Sequence, residues 1–374
     1  VHIRKMALQA SFSKRTFTFE FDARTSRGLM REKHSWYIKI WDDPKVGRFG
    51  IGECGPLPGL SIEDSATIEE KISSVVEQIN HAKLKLEDVD SSSLKKLNTF
   101  LTVFFGEELM KKYPSVVFSL ETAILDLLNG GDRVIFRNEF TKGKPLPING
   151  LIWMGGLDFM LQQVEIKVRD GYRCVKLKVG GLDFEKECDI LQYIRRKYFR
   201  DDIVIRLDAN GAFKPEEAMY KLQELSKFGV HSIEQPLKTG HHGIVDICKS
   251  SPIPIALDEE LIDLSGREEK ESLLDRIRPQ FIILKPTLHG GLFGCEEWIA
   301  LAEARKIGWW ITSALESNIG LNSISQFTAN YDIKLPQGLG TGAIYTNNFP
   351  SPLSAEKGTL RYDLKENWDL SDFS

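Results

Sequence analysis

The sequence predicts an α/β protein: a (β/α)7β barrel over residues 144–342, capped by an α+β unit built from residues 1–143 and from the tail 343–374, which returns to it. Three observations carry this. Before about residue 143, runs of β-forming residues are followed by runs with helical period, the grammar of an α+β unit. After it, short apolar strands alternate with amphipathic helices in seven or eight units, which suits a closed barrel better than the alternative, an open doubly wound sheet. Finally, charged residues recur at the ends of successive predicted strands, about one strand plus one helix apart.

In the first unit, Phe17 to Phe21 alternates weakly, and Ser35 to Trp41 is rich in β-formers before Asp42-Asp43-Pro44 breaks it. Gly50 to Leu60 is crowded with glycine and proline, which predicts a shaped loop. From residue 62 to 130 the period becomes helical. Ile68, Ile72, Val75, Val76 and Ile79 fall on one stripe, Ser91-Ser92-Ser93 reads as a loop, and Val116 to Leu128 forms an apolar helix stopped by Gly130-Gly131.

In the second unit the predicted strands are Pro147–Trp153, Arg173–Val179, Ile203–Leu207, Ser232–Glu234, Ile253–Leu257, Phe281–Leu284 and Trp309–Thr312. One intervening helix places Ile190, Leu191, Ile194 and Tyr198 on a common face. Another opens at Pro215, carries Met219, Leu222 and Leu225, and stops at Gly229.

A chain of 374 residues suits one large and one small unit. Its net charge of −4 offers no electrostatic reason for a nucleic acid or an anionic membrane as partner, and no apolar run approaches the roughly 18 residues of a membrane span. Five scattered cysteines without a Cys-x-x-Cys pair predict reduced thiols in a cytoplasmic protein, with no disulfide framework or zinc cluster. Val1 to Lys5 is followed by no uninterrupted apolar stretch, so no secretory signal is expected.

The chemistry centres on Val175 to Gly180. Alternation along this strand puts Lys176 and Lys178 on one face, where two ammonium groups are expected to lower each other's proton affinity. Barrel chemistry sits where strands end. There the chain places Lys178, then Asp208 with Asn210, Glu234, Asp258 and Lys285, at steps of 208 − 178 = 30, 234 − 208 = 26, 258 − 234 = 24 and 285 − 258 = 27. Taken singly, each has a plain structural reading. Asp208-Ala-Asn210-Gly211 suits a turn, Glu234 the surface end of a strand, and Asp258-Glu259-Glu260 the acidic first turn of a helix. Five such accidents in the order lysine, three carboxylates, lysine are a poor explanation of the whole. Crowded carboxylates repel unless a cation joins them, and hard oxygen donors without histidine or thiolate suit Mg²⁺, with Mn²⁺ as a substitute.

Lys176-Leu-Lys178, Asp208-Ala-Asn210, Glu234-Gln-Pro236, Asp258-Glu-Glu260 and Lys285-Pro286 together resemble the enolase superfamily, whose TIM-like barrels stabilise ene-diolates. Gly52 to Gly59, Lys285 to Gly291, Ser313 to Gly320 and Gln337 to Gly342 are similar to the o-succinylbenzoate synthase family within it, colinear from about residue 20 to 350. The resemblance implies a lyase of menaquinone biosynthesis acting on a small carboxylate substrate. Asp208, Glu234 and Asp258 would hold magnesium, Lys178 would be the base, and Lys285 a cationic partner to the intermediate. Lys176 would tune Lys178 and touch the substrate carboxylate. Asn210 would order the ligands, and Glu259 would orient a bound water or Lys285.

Leu57, Ser313, Gly338 and Gly340 are the expected substrate contacts. Glu316, Ser317 and Asn318 lie within reach of a substrate tail, although Ser317 or Asn318 also suits a helix N-cap. Gly338 to Gly342 lacks the spacing of a dinucleotide loop, and His289 reads as a loop residue. Loops around Arg24–Lys33 and Glu53–Leu60 are expected to close the mouth. Two other readings stand beside this one: an N-succinylamino acid racemase or dipeptide epimerase, and a barrel that binds metal or phosphate without catalysis. A dipeptide epimerase is expected to carry an acidic pair near the eighth strand, and Gly338 to Gly342 has none.

Overall fold

The computed structural model describes residues 7–25, 28–43, 45, 47–199 and 202–373. The expectation for residues 1–5, part of the loop expected around Arg24–Lys33, and Pro44 lie outside the described residues.

The chain opens with an antiparallel sheet of β1 (Gln9–Thr25), β2 (Gly28–Trp41) and β3 (Gly50–Cys54). The helices α1 (Ile68–His81), α2 (Leu94–Phe105), α3 (Glu107–Lys112) and α4 (Pro114–Leu128) follow. The α1 stripe of Ile68, Ile72, Val75, Val76 and Ile79 is buried, as its period predicts. Two expectations need correction. Gly50–Cys54 is a strand, and the shaped turn begins only after it. Its glycines serve close packing, since a Cβ at Gly50 would stand 1.9 Å from the Ala123 carbonyl oxygen and one at Gly52 1.9 Å from that of Ser119, both on α4. The Arg24–Lys33 stretch is the end of a hairpin, with β1 running to Thr25 and β2 starting at Gly28.

The second part alternates strand and helix. Its elements are β4 (Leu146–Pro147), β5 (Gly150–Ile152), α5 (Leu157–Arg169), β6 (Cys174–Lys178), α6 (Phe184–Lys197), β7 (Val204–Asp208), α7 (Pro215–Ser226) and β8 (Ser232–Glu234). Next come α8 (Ile244–Ser250), β9 (Ile255–Leu257), α9 (Arg267–Ile277), β10 (Phe281–Leu284), α10 (Gly291–Ala304), β11 (Gly308–Ile311) and α11 (Asn318–Thr328). Strands β5 to β11 form one parallel sheet in chain order. Gln337 and Gly338 stitch its two edges together: Gln337 bridges to Ile148 and Gly338 to Thr312. The Asn149 N–H donates to the Gln337 carbonyl at 2.9 Å and the Gly338 N–H to that of Ile311 at 2.8 Å, so the sheet curls into a barrel.

The expected strand Pro147–Trp153 is divided between two sheets. Pro147 has no N–H for a ladder, and β4 pairs instead with the hairpin β12 (Leu353–Glu356) and β13 (Thr359–Tyr362). Before that hairpin, Tyr345 bridges to Phe19. Tyr345 and Phe349 pack with Phe17 and Tyr37 of the first sheet.

Two buried carboxylates tie the first unit to the barrel. Glu53, at the end of β3, accepts from the Ser317 and Gly320 N–H groups at 3.0 Å, from the Ser317 hydroxyl at 2.6 Å and from the Ser35 hydroxyl at 2.8 Å. Glu121 of α4 accepts from the N–H groups of Leu292 at 2.5 Å and Phe293 at 3.2 Å. Each acid thus occupies the N-terminus of a barrel helix, α11 and α10, where free N–H groups and the helix dipole favour an anion.

Gly52→Ala should destabilise the protein by about 1–3 kcal/mol through overpacking against α4, read as the denaturant midpoint; an unchanged midpoint would refute the close approach of β3 and α4. Glu53→Gln removes the charge that three donors share with Ser35 and should cost about 3 kcal/mol. Equal stability of parent and variant in urea would show that this anchor carries no weight.

Candidate active site

The parallel register assembles the site. Lys178 of β6 is paired with Asp208 of β7, and Asp208 with Glu234 of β8. Asp258 and Lys285 are the residues that follow β9 and β10. All five strand-end side chains therefore face one mouth, with the acid-bearing strands between the two lysines.

Lys176 Nζ donates to Glu234 Oε2 at 2.7 Å and lies 3.1 Å from Asp208 Oδ2. Lys178 Nζ donates to Asp208 Oδ2 at 3.1 Å and to Asn210 Oδ1 at 2.6 Å, while Lys285 Nζ is hydrogen-bonded to Asp258 Oδ2. The Asn210 amide N–H donates to Glu259 Oε1 at 2.9 Å, so Asn210 joins Lys178 to Glu259. Glu234 Oε1 and Asp258 Oδ1 are buried without a hydrogen-bond partner. Among the described residues, no three histidine, cysteine or acidic side chains are placed as a ready metal cage. The lysine Nζ atoms lie in hydrogen-bond contact with the acids.

This corrects the expected electrostatics of Lys176. Burial opposes its charge, yet Asp208 and Glu234 outweigh burial, and its proton affinity is raised above that of a free lysine. Its leading charge partners are Asp208, Glu234 and Asp258, on other strands, rather than Lys178. Lys285 is likewise raised, burial being overcome by Asp258 and Glu234. The acids diverge. Burial would raise Asp208, but Lys176, Lys178 and Lys285 hold it below the usual carboxylate range. Burial and then the Asp208 charge push Glu234 well above that range.

The mouth encloses a cavity of about 100 Å³. Leu57, Ser313, Gly338 and Gly340, the expected substrate contacts, all line it, with Leu60, Trp153 and Leu315 adding apolar wall. The Leu57–Ser61 turn is shaped by the Ser61 N–H, which donates to the Leu57 carbonyl at 2.9 Å, and by the Leu57 N–H, which donates to the Ser61 hydroxyl at 2.8 Å.

Beyond Ser313 the expectations need revision. Glu316 is buried behind the wall, where it accepts from the Ser313 hydroxyl at 2.5 Å and the Ala314 N–H at 2.7 Å, and so braces that loop. Ser317 is the N-cap of α11, its hydroxyl accepting from the Ile319 N–H. The Asn318 amide donates to the Phe349 carbonyl at 2.7 Å. Glu53, expected in a closing loop, faces α11.

Three residues escaped the sequence reading. Asn149 and Thr341 line the cavity, and Asn149 Oδ1 and Thr341 Oγ1 are buried without a partner. Thr341 lies just past the eighth barrel position, where the strand-end rule points, whereas Asn149 precedes β5 and gives no such signal. Gln235 adopts a left-handed backbone (φ +41°), and its side-chain oxygen accepts from the Asp258 N–H at 3.3 Å and the Glu260 N–H at 3.2 Å. Its signal was a polar residue between Glu234 and Pro236.

Residues 160–364 match the family described as enolase C-terminal domain-like. The chain is 42% identical to the o-succinylbenzoate synthase of Desulfotalea psychrophila, over 94% of this chain and 98% of that one. It superposes on the crystal structure of MenC from Desulfotalea psychrophila LSv54 with a TM-score of 0.84, at 40% identity, covering 95% of this chain and 99% of the other. Similarity to the L-Ala-D/L-Glu epimerase of Bacillus subtilis is lower, 28% identity over 46% of each chain. With the register of its strand-end lysines and acids already established, the chain belongs to the enolase superfamily and, within it, to the o-succinylbenzoate synthase family.

Proposed function

We propose that the chain is a magnesium-dependent lyase that dehydrates 2-succinyl-6-hydroxy-2,4-cyclohexadiene-1-carboxylate to o-succinylbenzoate. The observation that carries this reading is the pair Lys178, which ends β6, and Lys285, which follows β10: both line one cavity with Asp208 and Asp258, and the buried Glu234 ends the strand between those two acids. The 42% identity over nearly the whole of both chains supports the choice of reaction. Lower and partial similarity to the epimerase favours dehydration over racemisation.

The donor set fits a hard divalent cation. Asp208, Glu234 and Asp258 are buried oxygen ligands, two of them with an orphaned oxygen, and the crowding that pushes Glu234 toward protonation is what such a charge relieves. These three would hold the ion, Mg²⁺ or in its place Mn²⁺, which when bound supplies positive charge against the electrons that gather on the substrate carboxylate as an ene-diolate forms.

Lys178 Nζ takes the α-proton. The electron pair of the broken C–H bond enters the ring, the C–O bond to the hydroxyl breaks, and the Lys178 ammonium returns the proton to the departing oxygen, so that water leaves from the same face. Asn210 holds Lys178 by its amide oxygen and is itself held by Glu259. Lys285 keeps its proton under the influence of Asp258 and serves as a fixed cation beside the intermediate, and Lys176, held by Asp208 and Glu234, steadies the substrate carboxylate. Leu57, Ser313, Gly338 and Gly340 receive the rest of the substrate. The division into a capping unit (1–143 with 343–374) and a barrel (144–342), and action in the cytoplasm, complete this reading.

Lys178→Ala should lower kcat by about 10³-fold or more while Mg²⁺ binding, read by calorimetry, persists. Turnover of the cyclohexadiene carboxylate in D₂O tests the reaction itself. Exchange of the α-hydrogen of N-succinylamino acids, with no loss of water from the cyclohexadiene, would make the chain a racemase. No turnover of any carboxylate by the parent would leave a binding barrel.

A further inference from the structure

His289 reads in the sequence as a loop residue, but its side chain is only 3% exposed. It lies four residues beyond Lys285, and its contacts close on the Lys285 backbone from both sides. The Lys285 N–H donates to His289 Nδ1 at 2.9 Å. The Lys285 carbonyl accepts from the N–H groups of Leu288 at 2.8 Å and His289 at 3.0 Å. Both polar groups of the backbone that presents the Lys285 ammonium are thereby satisfied within one turn. With Nδ1 accepting, the ring hydrogen sits on Nε2, and burial pushes the imidazole down to about 3, so the Nδ1 lone pair stays available at working pH.

His289 is itself held in place. Gly294 approaches its carbonyl so closely that an added Cβ would stand 1.9 Å from that oxygen. Gly290 and Gly291 adopt left-handed backbones (φ +80° and +75°) that turn the chain into α10. The Gly291 N–H donates to the Pro286 carbonyl at 2.9 Å, and Glu121 holds the next two N–H groups. The turn that carries Lys285 is thus held by the His289 ring on its own backbone and, through the start of α10, by Glu121 of the other unit.

We propose that His289 is a positioning residue for Lys285: its Nδ1 accepts the Lys285 N–H and fixes the peptide from which the ammonium reaches Asp258 and the reacting carboxylate. Lys285 lies one residue beyond β10, and the acceptor its N–H meets is His289 Nδ1. A buried N–H without a partner would open the turn to relaxation. A shift of an ångström in a charged group at a reacting centre costs rate far more than binding.

The test compares acceptors by position, and it rests on the dehydratase reading for its kinetic arm. Asparagine carries an oxygen on Cγ, where histidine carries Nδ1; glutamine carries its oxygen one bond further out; phenylalanine keeps the ring and has no acceptor. His289→Asn should keep kcat within about 5-fold of the parent, whereas His289→Gln and His289→Phe should lose about 10- to 100-fold in kcat with KM within about 2-fold. Should the phenylalanine variant not fold, as read by thermal unfolding, the asparagine and glutamine pair still decides. Equal kcat for those two, or a loss confined to KM, overturns the proposal.

Amide hydrogen exchange at Lys285 needs no substrate. Protection kept in His289→Asn and lost in His289→Gln is expected, and equal protection in both overturns the assignment even if the parent turns over nothing. An inactive parent alone counts against the dehydratase and not against His289.

Discussion

Three lysine side chains and three acids share one desolvated space at the barrel mouth, and the charges they carry are tolerable there only together. Removing an isolated charge from water costs several kcal/mol even after relaxation, so each ion's burial depends on its neighbours. Lys176 is the plainest case. Burial opposes its charge, and contact with Asp208 and Glu234 outweighs burial. The rest of the architecture holds that group of charges in register. Strands β6 to β8 align residue against residue, so a shift of one position along any of them would exchange a strand-end charge for an apolar core residue.

The smaller unit does more than cover this mouth. Glu53 and Glu121 reach across to the N-termini of α11 and α10, the helices that follow the Ser313 and Lys285 loops. Covering unit and reacting loops are therefore joined through hydrogen bonds from helix N–H groups to buried acids, which are directional where apolar packing is not. The same economy recurs inside the barrel. Gln235 spends its side-chain oxygen on the backbone beyond Asp258, and Glu316 spends its carboxylate on the loop at Ser313. Residues that do not line the cavity decide where those that line it stand.

Where the structure departs from the sequence expectation, the departures share a physical cause. Gly50 and Gly52 suggested a loop because glycine was read for its backbone freedom, whereas here its missing side chain lets β3 lie against α4. Pro147 falls within the expected strand Pro147–Trp153, yet the chain changes sheets there. For Lys176 the sequence shows the neighbour on its own strand, whereas the acids in contact with it come from β7 and β8. Glu316 lay near a predicted strand end, yet its side chain turns back on its own loop. In each case the missing quantity was a contact with a residue distant along the chain, or a side-chain direction that spacing does not encode.

By itself the sequence determined the alternation of strand and helix, the helical stripe at Ile68 to Ile79, and the recurrence of a charged residue at each strand end. These follow from local periods, from the rule that barrel chemistry gathers at the carboxyl ends of strands, and from the spacing of about one βα unit. Only the tertiary structure decided which acid each lysine faces, that Gln337 and Gly338 close the sheet, and that buried acids of the smaller unit hold the barrel's helices. Those outcomes depend on Coulomb terms and hydrogen bonds between groups brought within a few ångströms by folding, at separations along the chain of up to 267 residues.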